Sequence, residues 1–208
     1  MMKRIGFILL LVITVQSCSS FKSIFHSRFL KDQEQLILAS PDTAPMRVFK
    51  ITNSKDSLLL RTKSKNIKAS PNDPTLQHFI KRLYATVTDS MSLGVGIAAP
   101  QVGILKNIIW VQRFDKENFP FEVYLNPKIK IYSIKKQVCR EGCLSIPNRS
   151  DTLKTRAFSI KISYDTLEGK HLTETVEGFT SVIFQHEIDH LNGILYLDHL
   201  SEEVEDAT

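Results

Sequence analysis

His186, Glu187 and His190 lie in the run His-Glu-Ile-Asp-His, which on a helix sets both imidazoles on one face about one turn apart. Two neutral imidazoles so placed can bind one divalent metal ion, with Glu187 beside them as a candidate general base. A surface helix whose histidines merely share a face would carry the same run. A catalytic metal usually has three protein ligands and one position kept for water. Cys143, between Gly142 and Leu144, is a thiolate candidate for the third ligand, and equally a candidate for a small buried apolar residue. The Gly- and Ala-rich run from Gly94 to Gln101 reads as a loop where backbone packs close to something else.

The elements that must position these residues follow from periodicity. Leu76, Phe79, Leu83 and Val87 predict an amphipathic helix over about 75–90, opened by Pro71-Asn72-Asp73-Pro74, with His78 a structural residue beside the apolar stripe. Residues 47–51 read as a first strand, 57–61 as an apolar patch and 108–111 as a strand core; 114–119 form an excursion at a hairpin end. Residues 123–125 run into Asn126-Pro127, which should bend the chain before Ile129 and Ile131 alternate as a strand. Residues 138–143 read as a strand, and Phe158, Ile160, Ile162 and Tyr164 alternate as another, turned at 167–170 into 172–176. Gly178 separates that hairpin from the histidine-bearing helix, Gly193 stops the helix, and 194–197 is a last short apolar segment. The sum is an α+β fold, mainly antiparallel sheets around a central helix that carries the HExxH motif.

The 208 residues suffice for one domain with a real core. Their net charge of +5 is uneven: residues 171–208 hold nine Asp or Glu and no Lys or Arg. The preceding residues carry all 27 Lys and Arg against 13 acids, scattered rather than blocked, so no nucleic-acid tract is present. Three cysteines, Cys18, Cys139 and Cys143, do not make a disulfide framework. Lys3 and Arg4 precede an apolar run over 5–15 that ends in Val15-Gln16-Ser17-Cys18. This resembles the lipobox of bacterial lipoproteins, with Gln16 where a small residue is usual; a plain secretory signal and an uncleaved anchor helix are the alternatives. The expected organisation is a signal over 1–18 with Cys18 lipidated, a tether over 19–45 with at most one short helix, a catalytic domain over 46–200 and an acidic tail over 201–208 that need not be ordered. The expected location is outside the cytoplasm on a lipid anchor, with a cytoplasmic protein the alternative.

Three segments, Gly94 to Gln101, Glu141 to Ser145 and Gln185 to His190, resemble the GxGxAAxQ, EGCLS and QHExDH signatures of peptide deformylases, in that family's order. These enzymes remove the N-terminal formyl group from newly made proteins, and the similarity runs from about residue 58 to 197. The resemblance implies one divalent ion held by Cys143, His186 and His190, Fe²⁺ being favoured and Zn²⁺, Ni²⁺ or Co²⁺ able to occupy the site. It implies that Glu187 moves the proton of the attacking water, and that the Gln101 side-chain amide and the Leu144 backbone N–H stabilise the oxyanion. The loop around Gly96 is implied to bond the substrate backbone as an added strand, with the missing side chain allowing its close approach. Val95, Val182 and Ile183 are implied to line a pocket for methionine, although each also reads as plain core. Glu141 and Asp189, with Arg156 between them, are implied to support the ligands from behind.

Two features depart from cytosolic deformylases that act at the ribosome: the lipobox-like start and the acidic end, which RNA phosphate would repel. The expected substrates are therefore formylated peptides or exported proteins, met by a monomer without ribosome docking or nucleic acid. A related metallopeptidase, and a membrane-tethered binder of formyl peptides without turnover, are the other readings. Cys139 lies near enough to Cys143 in sequence to raise a disulfide that would abolish the site; reduced thiols are expected with metal bound.

Overall fold

Helix α3 (Pro74–Thr88) starts where the Asp73 carboxylate accepts the Thr75 and Leu76 amides and Pro74 takes the first turn, where no amide hydrogen is missed. Its stripe of Leu76, Phe79, Leu83 and Val87 is fully buried, as predicted. The structure is a computed structural model and describes residues 28–90 and 94–205; the expected signal segment and Cys18 lie outside the described residues. Within the described residues no helix is long and apolar enough to cross a membrane.

Strands β1 (Gly96–Ala98), β2 (Ile108–Gln112), β3 (Phe121–Tyr132), β6 (Ser159–Asp165) and β7 (His171–Glu177) form one antiparallel sheet in the order β1-β2-β3-β6-β7. Strands β4 (Lys136–Cys143) and β5 (Ile146–Ala157) form a separate two-stranded ribbon. Alternation gives the large sheet two apolar faces. Ile97, Ile108 and Leu125 pack towards α3, whereas Ala98, Ile109 and Tyr124 pack against Ile183, Phe184 and Ile188 of α4 (Gly178–Leu191). Helix α4 is thus buried nearly all round, between the sheet and the ribbon, and its polar residues must find partners inside. Gln185 does so by bonding both the amide and the carbonyl of Ala157 on β5. Gly193 ends this region at φ +75°, and a side chain there would strike the Arg61 backbone, so only glycine fits.

The sheet is also tied across its width. Arg113, just past β2, is fully buried and bonds Asp115, Glu122 on β3, Glu174 on β7 and the Tyr124 hydroxyl. Because β2 and β7 are not neighbours, one guanidinium reaching both fixes the curl of the sheet around α4, and the guanidinium also sits over the Phe184 ring.

Several sequence expectations need correction. Residues 47–51 form no strand, because what faces them are single carbonyls rather than a ladder: Phe49 N–H donates to Gln101 O and Ile51 N–H to Ser145 O. The patch at 57–61 belongs to helix α2 (Ser54–Leu60), capped by Asn53. The described part of the expected tether is packed down: α1 (Lys31–Leu38) buries Ile37, Phe29 meets Phe79 edge-on, and Arg82 bonds the Leu36 and Ile37 carbonyls. Asn126-Pro127 does not end a strand; β3 runs through it with a bulge, and Asn126 at φ +52° bonds Ile67 and Asp165. The segment after Gly193 enters helix α5 (Tyr196–Glu205), so the acidic end is structured through Glu205. Glu203 accepts the Lys154 and Thr155 amides of β5, and Arg61 pairs with Asp198.

Candidate active site

The three signature segments converge on one cleft. Helix α4 forms its floor, and the cleft is lined by Gly94, Val95, Gly96 and Gln101 on one side and by residues 140–144 on the other. Cys143 ends β4, just before the two-residue Leu144-Ser145 turn into β5. Its Sγ lies 3.1 Å from His190 Nε2, and one donor atom from each of Cys143, His186 and His190 falls within 4.8 Å of the others. One soft thiolate and two imidazoles so grouped fit a divalent transition-metal ion with an open fourth position. The second nitrogen of His186 is already committed: Nδ1 lies 2.8 Å from Glu141 Oε2, which orients Nε2 to the thiol side. His190 Nδ1, by contrast, is buried without a hydrogen-bond partner among the described residues.

The electrostatics of the group are mutually dependent. Burial pushes the Cys143 thiol up, and the His190 and His186 imidazoles outweigh it, so the thiol is held well below its ordinary range. Burial likewise pushes Glu141 up, but His186 and Arg156 bring it down to about 2. Arg156 bonds both Glu141 oxygens at 2.7 and 2.9 Å and Asp189 at 2.7 Å, so it stands between the two carboxylates. Asp189 is held in turn by His199 of α5 at 2.8 Å. A chain of contacts therefore runs from the surface of α5 to the candidate ligand His186.

Glu187 is the opposite case. It is buried, its Oε2 has no hydrogen-bond partner among the described residues, and burial pushes it up to about 7 against the pull of His186 and His190. Gln101 lies across from it on the 3-10 turn Ala99–Val102. Its Oε1 accepts the Ala98 amide, which turns Nε2 towards Cys143 Sγ at 3.6 Å and Ser145 Oγ at 3.2 Å. Leu144 lines the cleft beside them.

The structure adds a reason for Gly96. A Cβ there would lie 2.5 Å from Glu187 Oε1 and 2.8 Å from Ile183 Cγ2, so glycine makes room for the floor helix. Val95, Val182 and Ile183 line the cleft, and the last two are buried. Cys139 and Cys143 sit four residues apart along β4, about 13 Å in a strand, well beyond the roughly 7 Å that a disulfide spans. Both are free thiols.

Sequence reasoning passed over three contributors. Ser145 is buried against Gln101, Tyr196 stacks on the His186 ring, and Phe179 forms part of the cleft wall. Ser145 stood inside a quoted motif, but nothing in the sequence marked the other two, whose parts depend on where α4 and α5 come to lie.

The family profile for polypeptide deformylase matches residues 48–206. A peptide deformylase of Desulforudis audaxviator is 41% identical over 156 residues, covering 74% of this chain and 94% of that one. A Met-Ala-Ser-bound class I type b peptide deformylase from Acinetobacter baumannii is 33% identical with a TM-score of 0.65, covering 76% of this chain and 99% of that one. The peptide deformylase of Thermotoga maritima is 31% identical with a TM-score of 0.64, covering 74% and 97%. A profile match over most of the chain, with these relatives almost fully spanned, places the chain in the polypeptide deformylase family.

Proposed function

We propose that this protein hydrolyses the N-terminal formyl amide of formyl-methionyl peptides and proteins, releasing formate. One observation carries the reading: a buried carboxyl poised near neutrality, Glu187, shares a cleft with the Cys143-His186-His190 donor set and the Gln101 amide. A divalent ion held by those three residues supplies a Lewis acid that polarises the formyl carbonyl and makes water a better nucleophile at neutral pH. Fe²⁺ is our choice of ion, on the family resemblance; the donors themselves also suit Zn²⁺, Ni²⁺ and Co²⁺.

The chain's own residues do the rest. Glu187 takes a proton from the water as its oxygen attacks the formyl carbon, and its near-neutral carboxyl can hold that proton. The oxyanion that forms receives the Nε2–H of Gln101, an orientation fixed by the Ala98 amide on Oε1, and the backbone N–H of Leu144. As the C–N bond breaks, Glu187 returns the proton to the amine nitrogen, leaving formate and a free N-terminus. The open edge of β1 lets the substrate backbone add as a strand, and Val95, Val182 and Ile183 receive the methionine side chain. Glu141 with Arg156 fixes the His186 ring, while Asp189 holds Arg156 in place.

The test is formate release from formyl-Met-Ala by Fe²⁺-loaded protein prepared without oxygen, beside an unformylated longer peptide. Formate without internal cleavage supports deformylation. Cleavage of the unformylated peptide would indicate a metallopeptidase, and binding without formate a non-catalytic receptor. We also propose a lipid-anchored location outside the cytoplasm, on the residues from Lys3 to Cys18 alone. Recovery of the protein in the cytosol with this segment intact would overturn that location.

A further inference from the structure

Arg140 stands apart from the cations around it. It lies in the wall of the catalytic cleft, on the same strand as Cys143 and on the wall that also includes Gly142 and Leu144. Its neighbours in charge are all engaged: Arg149 pairs with Asp151, and Arg156 with Glu141 and Asp189. Arg140 is exposed, and the one hydrogen bond of its side chain among the described residues runs from Nε to the neutral Ser150 Oγ at 2.9 Å. That bond anchors the guanidinium while leaving both terminal amino groups unpaired. No carboxylate of the described residues lies within ion-pair distance of it. Gly142, between Arg140 and Cys143, needs no glycine for the fold, since a Cβ there would make only ordinary contacts at 3.7 Å. Phe179, on the floor helix, is 46% exposed and meets the Phe114 ring at a tilted 5.3 Å contact, so the cleft also presents an apolar surface.

From this arrangement we infer that Arg140 is a specificity residue for a carboxylate carried by the substrate two or three residues after its formyl group. The inference rests on the deformylase reading and narrows its substrate class to short formyl peptides with a free C-terminus, or to chains with an acidic residue near the start. The geometry sets the reach. Arg140 precedes Cys143 by three strand positions, about 10 Å, and an extended peptide running out beside β4 covers that distance in about three residues of about 3.3 Å each. A planar guanidinium with two unpaired amino groups is the matching partner for a carboxylate.

The test compares formyl-Met-Ala as free acid and as C-terminal amide, and formyl-Met-Ala-Glu-amide with its Gln counterpart, on metal-loaded full-length protein and on Arg140→Gln. Wild-type kcat/KM should favour the carboxylate member of at least one pair by about threefold to fivefold at low salt, mainly through KM, as an ion pair at a cleft rim allows. That ratio should fall towards one in Arg140→Gln and in 0.5 M salt. Preference in the first pair identifies the chain terminus as the source, and preference in the second an acidic side chain. Equal rates within both pairs for wild type, or a preference that survives in Arg140→Gln, would overturn the inference while leaving deformylation intact. No formate from any of the four peptides would instead overturn the deformylase reading itself.

Discussion

At the scale of single residues, two side chains are placed so that small changes should have large consequences. Gln101 has its carbonyl oxygen held by the Ala98 amide, so its N–H points into the cleft before substrate arrives. Gln101→Ala should lower kcat by about 10²–10³-fold, the usual loss for one oxyanion donor, with KM little changed; steady-state formate kinetics read both. Gly96 is packed against Glu187 with no space for a methyl group. Gly96→Ala should displace the Glu187 carboxyl and cost about 10²-fold in kcat while costing about 1–3 kcal/mol in stability through overpacking. Chemical denaturation beside the kinetics separates the two effects. Undiminished turnover in Gly96→Ala would mean that the position of Glu187 is not critical.

At the scale of elements, α4 carries two candidate ligands and the base, and what fixes it is a set of buried polar ties. Arg156 holds β4 to α4 through Glu141 and Asp189; Arg156 and Glu141 are buried and Asp189 is partly buried. Arg156→Met takes the guanidinium from the buried Glu141 carboxylate and leaves Asp189 to His199 alone, which should cost about 3–5 kcal/mol of stability and weaken metal retention about 10–100-fold. Urea titration and metal content after dialysis against chelator check these. The elements were legible in the sequence to an unequal degree. The α3 stripe, the alternating β6 strand and the His186-His190 helix follow local rules of period, so residue types alone located them. Residues 47–51 and the acidic end obey distant partners instead. Arg47 and Lys50 are fixed by Asp56, and Glu203 by the amides of β5, contacts that no local pattern announces. The site divides in the same way: the two histidines were readable because metal chemistry favours imidazoles at short helical spacing, and Cys143 only through the family resemblance, whereas the Tyr196 ring beside His186 was not, because its place is set by α5 docking on the ribbon.

At the scale of the whole molecule, the acidic end is part of the catalytic body. Through His199 and Asp189, α5 joins the tie behind the candidate metal ligands. The Asp189 hydrogen bond raises His199 above the ordinary imidazole range, burial opposing it. A raised folded-state value means that its stabilising effect is complete below the unfolded value of about 6.5 and is lost as pH rises through the folded value. The stability difference between wild type and His199→Gln should therefore be largest near pH 6 and shrink above neutrality, as read from denaturation midpoints at several pH values. A gap that widened with pH would mean that the charged imidazole is not what Asp189 holds.

The most direct test of the catalytic assignment pairs metal content with formate release in wild type and Glu187→Ala, both loaded with Fe²⁺ without oxygen. Glu187 lies outside the Cys143-His186-His190 donor group and makes no hydrogen bond to it among the described residues, so the variant should retain about one ion per chain while its turnover falls by about 10²–10⁴-fold, the range for a lost general acid–base. Wild type that holds its ion and releases no formate from formyl-Met-Ala, or a Glu187→Ala variant that turns over as fast as wild type, would contradict it.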